Sequence, residues 1–196
     1  MKVLVACEFS GIVRTEFEKI GHDALSCDLL PTEIPGSHYQ GDVKDILYFE
    51  KWDLIIAHPP CTYLCNSGVP HLYTQKGRWE LMRAGAEFFK RFLELKCRKI
   101  AVENPIPHKY ALEIIGRKYD QKIQPYQFGH PESKATCLWL KGLPKLEETE
   151  NVKSEMQKLP KNQQQRIYHL PPGKDRAKLR SKTFTGIAKA MAEQWG

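Results

Sequence analysis

The sequence has no apolar run that approaches the roughly 20 residues needed to span a membrane. The apolar part of Met1–Glu8 is also too short for a secretory signal, so we expect a cytoplasmic protein with no membrane partner. Its six cysteines are therefore expected to be thiols and not a disulfide framework. Aromatic residues make up 10% of the 196 residues, which argues against a disordered chain.

Excess positive charge is scarce in the first 140 residues, which carry 18 basic and 17 acidic side chains, whereas the last 56 carry 12 and 6. Eight basic residues lie between Lys158 and Lys182, where Asp175 is the one acid. Such a tract is a candidate phosphate-binding surface. The alternative is a solvated loop without a partner. Nothing in the sequence indicates the oligomeric state.

Strand-like and helix-like segments alternate along the chain, which predicts an α/β fold with a mostly parallel central sheet and helices on both faces. The predicted strands are Met1–Cys7, Asp23–Asp28, a short one before Gly41, Trp52–His58, Lys99–Glu103, and a late pair at Lys122–Phe128 and Ala135–Leu140. The predicted helices run through Val13–Ile20, Arg78–Lys96, His108–Gly116 and Thr183–Trp195, and Gly142–Asp175 is expected to be irregular.

The predicted parallel strands end on chemically reactive or charged residues. Ligands bind at the carboxyl ends of parallel strands, and these ends share one edge of the sheet. We therefore expect one site to collect the strand-end residues, which are Glu8, Asp28, Asp42, His58–Cys61 and Glu103–Asn104.

The turn Phe9-Ser10-Gly11 joins the first predicted strand to a helix. Its glycine would let the backbone approach a ligand, and the helix start offers free N–H groups. Asp28 follows Gly11 by 17 residues, close to the roughly 20-residue offset at which an acid holds ribose hydroxyls. Asp42 could accept from an adenine amino group in the same pocket. The alternative is an ordinary turn with two capping acids.

The segment after the fourth predicted strand, Pro59-Pro60-Cys61, is stiff because its prolines fix the backbone. A thiol held there suits a nucleophile, which must react as the thiolate. One alternative is a small apolar cysteine in a tight turn. Another is a metal site formed by His58, Cys61 and Cys65, but the remaining cysteines stand singly, and we expect no metal.

Glu103 ends the fifth predicted strand and is followed by Asn104 and Pro105. A partly desolvated carboxyl group holds its proton more readily, so Glu103 is expected to have a raised pKa and to act as an acid. The alternative is a carboxylate that caps the next helix.

Taken in order, these segments resemble the S-adenosylmethionine-dependent cytosine carbon-5 DNA methyltransferases, especially short phage or prophage-encoded members. The similar segments are Phe9-Ser10-Gly11, Asp28, Asp42, Pro59-Pro60-Cys61, Glu103-Asn104, Tyr126–Leu140 and Arg180–Ala192. The resemblance covers most of residues 1–140 and the final helix. It departs from the family at Val13, where a second glycine is usual, at Pro105, and at Lys134, where arginine is usual.

The resemblance implies a Rossmann-like fold, S-adenosylmethionine as cofactor and DNA as partner through the Lys158–Lys182 tract. It implies catalytic roles for Cys61, Glu103, Asn104 and Lys134. It implies cofactor contacts for Glu8, Phe9, Ser10, Gly11, Asp28, Leu29, Asp42, Pro59 and Thr183. In this interpretation Cys61 adds to carbon 6 of cytosine, Glu103 bonds the ring nitrogen, and carbon 5 accepts the methyl group.

The family resemblance also implies a division of the chain. Residues 1–140 form the catalytic core, 141–182 replace a larger target-recognition domain, and 183–196 return to the core. Because the middle segment is short, the same chemistry on a free cytidine nucleotide or on RNA remains an alternative. A second alternative is a nucleic-acid-binding protein without catalysis on the same fold.

Overall fold

The computed structural model describes residues 1–196 as one sheet with helices around it. The strands are β1 (Lys2–Ala6), β2 (Asp23–Asp28), β3 (His38–Gln40), β4 (Leu54–Ala57), β5 (Lys99–Pro105), β6 (Gln121–Ile123) and β7 (Thr136–Lys141). The helices are α1 (Ile12–Lys19), α2 (Val69–Thr74), α3 (Arg78–Glu94), α4 (Lys109–Ile115), α5 (Lys153–Lys158), α6 (Lys161–Gln164), α7 (Arg176–Ser181) and α8 (Thr185–Trp195). No helix combines the length and apolar character that crossing a bilayer requires.

The seven strands lie in the order β3-β2-β1-β4-β5-β7-β6. Neighbours from β3 to β5 pair in parallel, whereas β7 is antiparallel to both β5 and β6. The strand order reverses between β1 and β4, which is where open α/β sheets form ligand crevices. The predicted mostly parallel α/β sheet of Rossmann type is confirmed.

Side chains alternate across the central strands and enter two apolar layers. Leu4 and Ile55 belong to the layer beneath α3 and α4, while Val5 and Ile56 belong to the layer beneath α1 and α8. Because both faces of these strands are covered, their sequences read as continuous apolar runs. In the first layer the ring of Phe89 on α3 meets Trp139 of β7 at 4.8 Å. Helices on both faces, as predicted, thus hold the sheet edge rigid.

The differences from the predicted elements concern short segments. The predicted strand Lys122–Phe128 ends at Ile123 and becomes a helical turn at Pro125–Gln127, since proline cannot donate to a strand ladder. The region 142–175, predicted to be irregular, contains α5 and α6, and the sequence pattern also missed α2 and α7. These helices have four to six residues, too few to show an apolar period.

Candidate functional site

The carboxyl ends of four parallel strands lie level at one edge of the sheet. Ala6 of β1 is in register with Cys27 of β2 and Ala57 of β4, and Ala57 is in register with Val102 of β5. The residues that follow these positions therefore emerge at the same edge. The structure brings the predicted strand-end residues to this edge, although their individual roles stay predictions.

Glu8 fastens the turn that precedes α1. Its carboxylate is buried and accepts from the Val13 N–H at 2.7 Å, the Ser10 hydroxyl at 3.0 Å and the Arg14 N–H at 3.3 Å. Gly11 has a φ of +72°, and a side chain there would approach the Arg14 guanidinium to 2.9 Å. A carboxylate at a helix N-terminus also meets the positive end of the helix dipole. Because its oxygens are engaged, Glu8 positions the turn, and its predicted cofactor contact remains untested.

Arg14 is a buried residue of the site region that the sequence pattern did not reveal. Its side chain is fully buried and donates to the carbonyl oxygens of Ile34 at 2.6 Å and Pro35 at 3.1 Å, and to the Ser26 hydroxyl at 3.2 Å. These bonds tie α1 to the loop that follows β2. The one signal in the sequence is that Arg14 directly follows Val13 on the buried side of a helix.

Asp28 and Asp42 lie near one another beside the end of β1. Burial raises the pKa of the Cys7 thiol, and the charges of both acids raise it further. Asp28 accepts from the Leu30 N–H at 2.9 Å through one oxygen, and Leu29 between them is 72% exposed.

The carboxylate of Asp42 caps a helical turn. It accepts from the Lys44 N–H at 3.0 Å and pairs with the Lys44 ammonium at 3.3 Å. The backbone N–H of Lys44 holds the pKa of Asp42 below its usual range despite partial burial. Asp42 therefore fits the capping alternative, since Lys44 engages both of its oxygens, and its contact with an adenine amino group stays a prediction.

The loop that carries Cys61 is anchored to the chain after β5. The N–H of His108 donates to the Leu64 carbonyl at 3.0 Å, and the imidazole of His108 bonds the Tyr63 carbonyl at 3.0 Å. The Asn66 N–H donates to the Ile106 carbonyl at 3.0 Å. Pro59 at the loop start is buried. These bonds hold the Cys61 loop against the end of β5, the strand that carries Glu103.

Cys61 forms a pair with Cys65. The Cys65 thiol donates to the Cys61 carbonyl at 2.8 Å. The interaction with the Cys65 thiol, burial and the charge of Glu103 raise the pKa of Cys61. The interaction with Cys61 lowers the pKa of Cys65 to about 7, and the charge of Arg180 contributes. The pair therefore loses its first proton near neutral pH.

The pairing changes two sequence-based interpretations. The pKa of the nucleophile candidate Cys61 is raised and not lowered, because its nearest neighbour is a second thiol. From the sequence, Cys65 is a candidate only for a metal site with His58 and Cys61. The structure contains no group of three His, Cys, Asp or Glu side chains placed to hold a metal ion.

Glu103 pairs with His58 across the ends of β5 and β4. The Nδ1 atom of His58 lies 3.3 Å from Oε2 of Glu103. Burial alone would raise the pKa of Glu103, but the bond to His58 and the charge of Lys134 outweigh burial and lower it. The predicted raised pKa is therefore wrong, because the burial that sequence reasoning considered comes with a hydrogen bond to His58 and the charge of Lys134.

Two buried polar atoms beside this pair have no protein partner. They are Nε2 of His58 and Oδ1 of Asn104. The Asn104 amide does donate to the Pro105 carbonyl at 2.5 Å, so one end of that side chain is fixed. Buried polar atoms without a partner are costly. Their position at the strand edge makes them available to a bound ligand.

A segment that we call the strap, residues 176–184, crosses this edge of the sheet. Lys134 donates to the carbonyl oxygens of Arg180 at 2.8 Å and Lys182 at 3.3 Å. At the other end, Lys178 lies 3.0 Å from Glu33 and 5.2 Å from the centroid of the Phe9 ring. The strap thus joins the predicted base-contacting lysine to the predicted cofactor turn.

Two predicted site residues, Thr183 and Lys134, lie in the strap or contact it. Thr183 is a half-buried member of it. The ammonium of Lys134 bonds strap carbonyls, yet its charge still acts on Glu103 and Cys61. Lys134 therefore lies near the predicted catalytic pair, and its predicted bond to a base remains untested.

Several cations of the basic tract Lys158–Lys182 already have partners within the protein. Arg166 pairs with Glu132 at 2.9 Å, and both Lys178 and Lys182 pair with Glu33. The guanidinium of Arg176 donates to two backbone carbonyls. The exposed cations of the tract that form no ion pair are Lys158, Lys161 and Lys174. The surface left for phosphate is therefore smaller than the charge count indicated.

No protein-family model and no curated protein matches the chain. Its fold is similar to that of EhMeth, an Entamoeba histolytica methyltransferase, with a TM-score of 0.51 and 17% identity over 77% of this chain and 57% of EhMeth. A prophage-encoded E. coli protein proposed as a DNA modification methyltransferase aligns with a TM-score of 0.47 and 17% identity, over 82% of this chain and 55% of that one. The chain spans little more than half the length of either protein, and the likeness to EhMeth concerns the fold.

Proposed function

We propose that the chain transfers a methyl group from S-adenosylmethionine to carbon 5 of cytosine in DNA. The observation that carries the proposal is the meeting of Cys61 and Glu103 at the strand edge. Cys61 follows β4, Glu103 lies near the carboxyl end of the neighbouring parallel strand β5, and the charge of Glu103 acts on the Cys61 thiol. A nucleophile beside a carboxylate–imidazole pair is the arrangement that addition to a pyrimidine ring requires.

The residues near β1 and β2 fit an adenosyl cofactor. The N–H groups at the start of α1 are already bonded to Glu8 and Ser10, so the cofactor contacts would come from the backbone of Phe9–Gly11 and from Asp28, which uses only one oxygen inside the protein. Leu29 presents an exposed apolar surface beside that acid. Asp28 would hold the ribose hydroxyls, and Leu29 would cover one face of the adenine. When bound, S-adenosylmethionine would supply an electrophilic methyl group on its sulfonium.

Cys61 and Cys65 would together provide the thiolate that adds to the ring. The interaction between the two thiols lowers the pKa of Cys65 to about 7 and raises that of Cys61, so the pair would lose one proton near neutral pH. Transfer of the remaining proton from Cys61 to Cys65 would free the Cys61 thiolate to add to carbon 6, which moves the electron pair of the ring double bond to carbon 5. Carbon 5 would then accept the methyl group as the bond from that methyl to the sulfonium breaks. Loss of the carbon-5 proton to solvent and departure of Cys61 as a thiolate would restore the aromatic ring.

Glu103 and His58 would supply the proton that the ring nitrogen of cytosine takes up. Glu103 is ionised before substrate binds, because His58 and Lys134 lower its pKa. Because an ionised carboxylate and an unprotonated ring nitrogen are both acceptors, Glu103 would first take up a proton, from solvent or through its bond to Nδ1 of His58, and would then donate that proton to the ring nitrogen. The free oxygen of Asn104 offers an acceptor for the base edge or for the Cys61 loop. In duplex DNA the cytosine must also leave the stack, which costs a few kcal/mol.

The test measures transfer of labelled methyl from S-adenosylmethionine to single-stranded DNA, duplex DNA, tRNA and deoxycytidine monophosphate. We expect incorporation into DNA that is lost in Cys61→Ala and slowed by about 10²–10⁴ in Glu103→Gln. The control is Cys97→Ser, because this buried thiol lies outside the site and bonds only backbone carbonyls. Transfer to tRNA alone, or to the nucleotide alone, would show that the substrate is that molecule and not DNA. Absence of cofactor binding would favour the non-catalytic alternative.

A further inference from the structure

Four aromatic side chains gather beside the Cys61 loop. Tyr73 of α2 meets Trp79 of α3 edge-on at 5.7 Å, and Trp79 meets Tyr110 of α4 at 4.9 Å. The hydroxyl groups of Tyr73 and Tyr110 lie 2.5 Å apart. Tyr63, the fourth, stands two residues after Cys61. We call these four residues, together with Arg78 and Lys109, the aromatic face.

The two cations lie on the rings of the aromatic face. The guanidinium of Arg78 is 4.3 Å from the centroid of the Tyr63 ring and donates to the Thr62 carbonyl at 3.0 Å. The ammonium of Lys109 is 4.9 Å from the centroid of the Tyr110 ring. Both cations keep hydrogen-bonding capacity toward solvent, since neither forms an ion pair with a carboxylate.

The two chain segments that form most of the aromatic face contain no acidic residues. Residues 58–79 contain no Asp or Glu, and neither do residues 104–112; the acids that flank these segments are Asp53, Glu80, Glu103 and Glu113. The face is therefore positively charged next to the site, independently of the Lys158–Lys182 tract. A partner that complements it carries negative charge and flat rings.

Packing within the protein explains the positions of only some residues of the aromatic face. Trp79 and Tyr110 are half-buried and help to join α3 and α4, but the Tyr73 ring is 65% exposed. Proteins that bind unpaired strands combine exposed aromatic rings, on which bases stack, with cations that follow the phosphates. Arginine and lysine on ring faces add a cation–π contribution.

We propose that the aromatic face binds an unpaired nucleic-acid strand and delivers its cytosine to Cys61. This inference deepens the proposed function and rests on it for the identity of the delivered base. The occupant is a single strand and not a duplex, because stacking on Tyr73 requires an unpaired base. The contact of Arg78 with Thr62 links the bound strand directly to the loop that carries the nucleophile.

The test is fluorescence anisotropy with a short labelled oligonucleotide, measured as a single strand and as a duplex without cofactor. We expect tighter binding of the single strand, and an affinity that falls at least about tenfold in Tyr73→Ala/Lys109→Ala, because stacking contributes that much per base. Tyr73→Phe keeps a ring and should retain most of the affinity. The control Tyr48→Ala/Lys51→Ala removes an exposed tyrosine and lysine elsewhere, and should bind like the unaltered chain.

Three results would overturn the inference. They are equal affinity of the Tyr73/Lys109 double variant and the unaltered chain, loss of affinity only in Lys158→Ala/Lys161→Ala of the basic tract, and absence of strand binding altogether. Thermal melting of each variant separates lost binding from lost folding. Methyl transfer is measured in parallel: strand binding without transfer would contradict the proposed function alone, and transfer without a contribution from Tyr73 and Lys109 would contradict this inference alone.

Discussion

Replacing Glu8 with glutamine removes one negative charge from beneath the turn before α1 while keeping the size of the side chain. The carboxylate accepts through Oε1 from Val13 and Ser10, and through Oε2 from Arg14 at 3.3 Å. Glutamine can keep the Oε1 contacts, but its amide nitrogen would face the N–H of Arg14. One donor at the helix start then loses its acceptor, and the remaining bonds lose charge assistance.

The expected loss of stability in Glu8→Gln is about 2–5 kcal/mol. A bond to a charged group contributes roughly 1.5–3 kcal/mol, and the interaction of a partly buried charge with the helix dipole adds about 0.3–2 kcal/mol. For a chain of this length, a change of that size lowers the melting temperature by roughly 4–20 °C. Urea unfolding followed by tryptophan fluorescence measures the free energy of unfolding directly.

The matched control for Glu8→Gln is Glu87→Gln, an exposed acid on α3 without an ion pair. This exchange should change stability by less than about 0.5 kcal/mol. If Glu8→Gln lowered the free energy of unfolding by as little as the control does, the carboxylate would not stabilise the turn. Its predicted role as a direct cofactor ligand would then be the better account of Glu8.

Glu33→Gln weakens the ion pairs that hold Lys178 and Lys182 of the strap, so trypsin should cleave there faster while the free energy of unfolding falls by about 0–1 kcal/mol. An unchanged cleavage rate would mean that these pairs do not hold the strap. His130 accepts from the Gly186 N–H at 2.9 Å, and burial lowers its pKa from 6.5. Its contribution is present above pH 6.5 and is lost as the pH falls toward the lowered pKa, so acidification should destabilise the unaltered chain more than His130→Gln. Parallel pH curves for the two proteins would refute this assignment.

The fold was predictable because its main elements carry strong local patterns. The strands β1, β4 and β5 are continuous apolar runs, and α3 repeats buried residues such as Met82, Ala86 and Phe89 at helical spacing. The grouping of strand-end residues followed from a rule of topology, since parallel strands place their carboxyl ends at one edge. Local patterns and one topological rule therefore sufficed for the architecture and for the position of the candidate site.

The missed features depend on partners that are distant in sequence. An arginine such as Arg14 is normally exposed, and only the loop after β2 supplies the carbonyl oxygens that allow it to be buried. The pKa of Glu103 is set by His58 and Lys134, which only the folded sheet edge brings close. The strap likewise depends on Glu33, which gave no signal of its own. Burial could be inferred from sequence, but the charges that accompany it could not.

The central claim is that Cys61 bonds carbon 6 of cytosine while carbon 5 receives the methyl group. An oligonucleotide with fluorine at carbon 5 of its cytosine has no proton to lose there, so the bond to sulfur should persist. Mass spectrometry of peptides from the treated protein should find the oligonucleotide on Cys61, only with S-adenosylmethionine present, and not in Cys61→Ser. An adduct on Cys65, or normal methylation of DNA without any adduct from the fluorinated strand, would contradict the account.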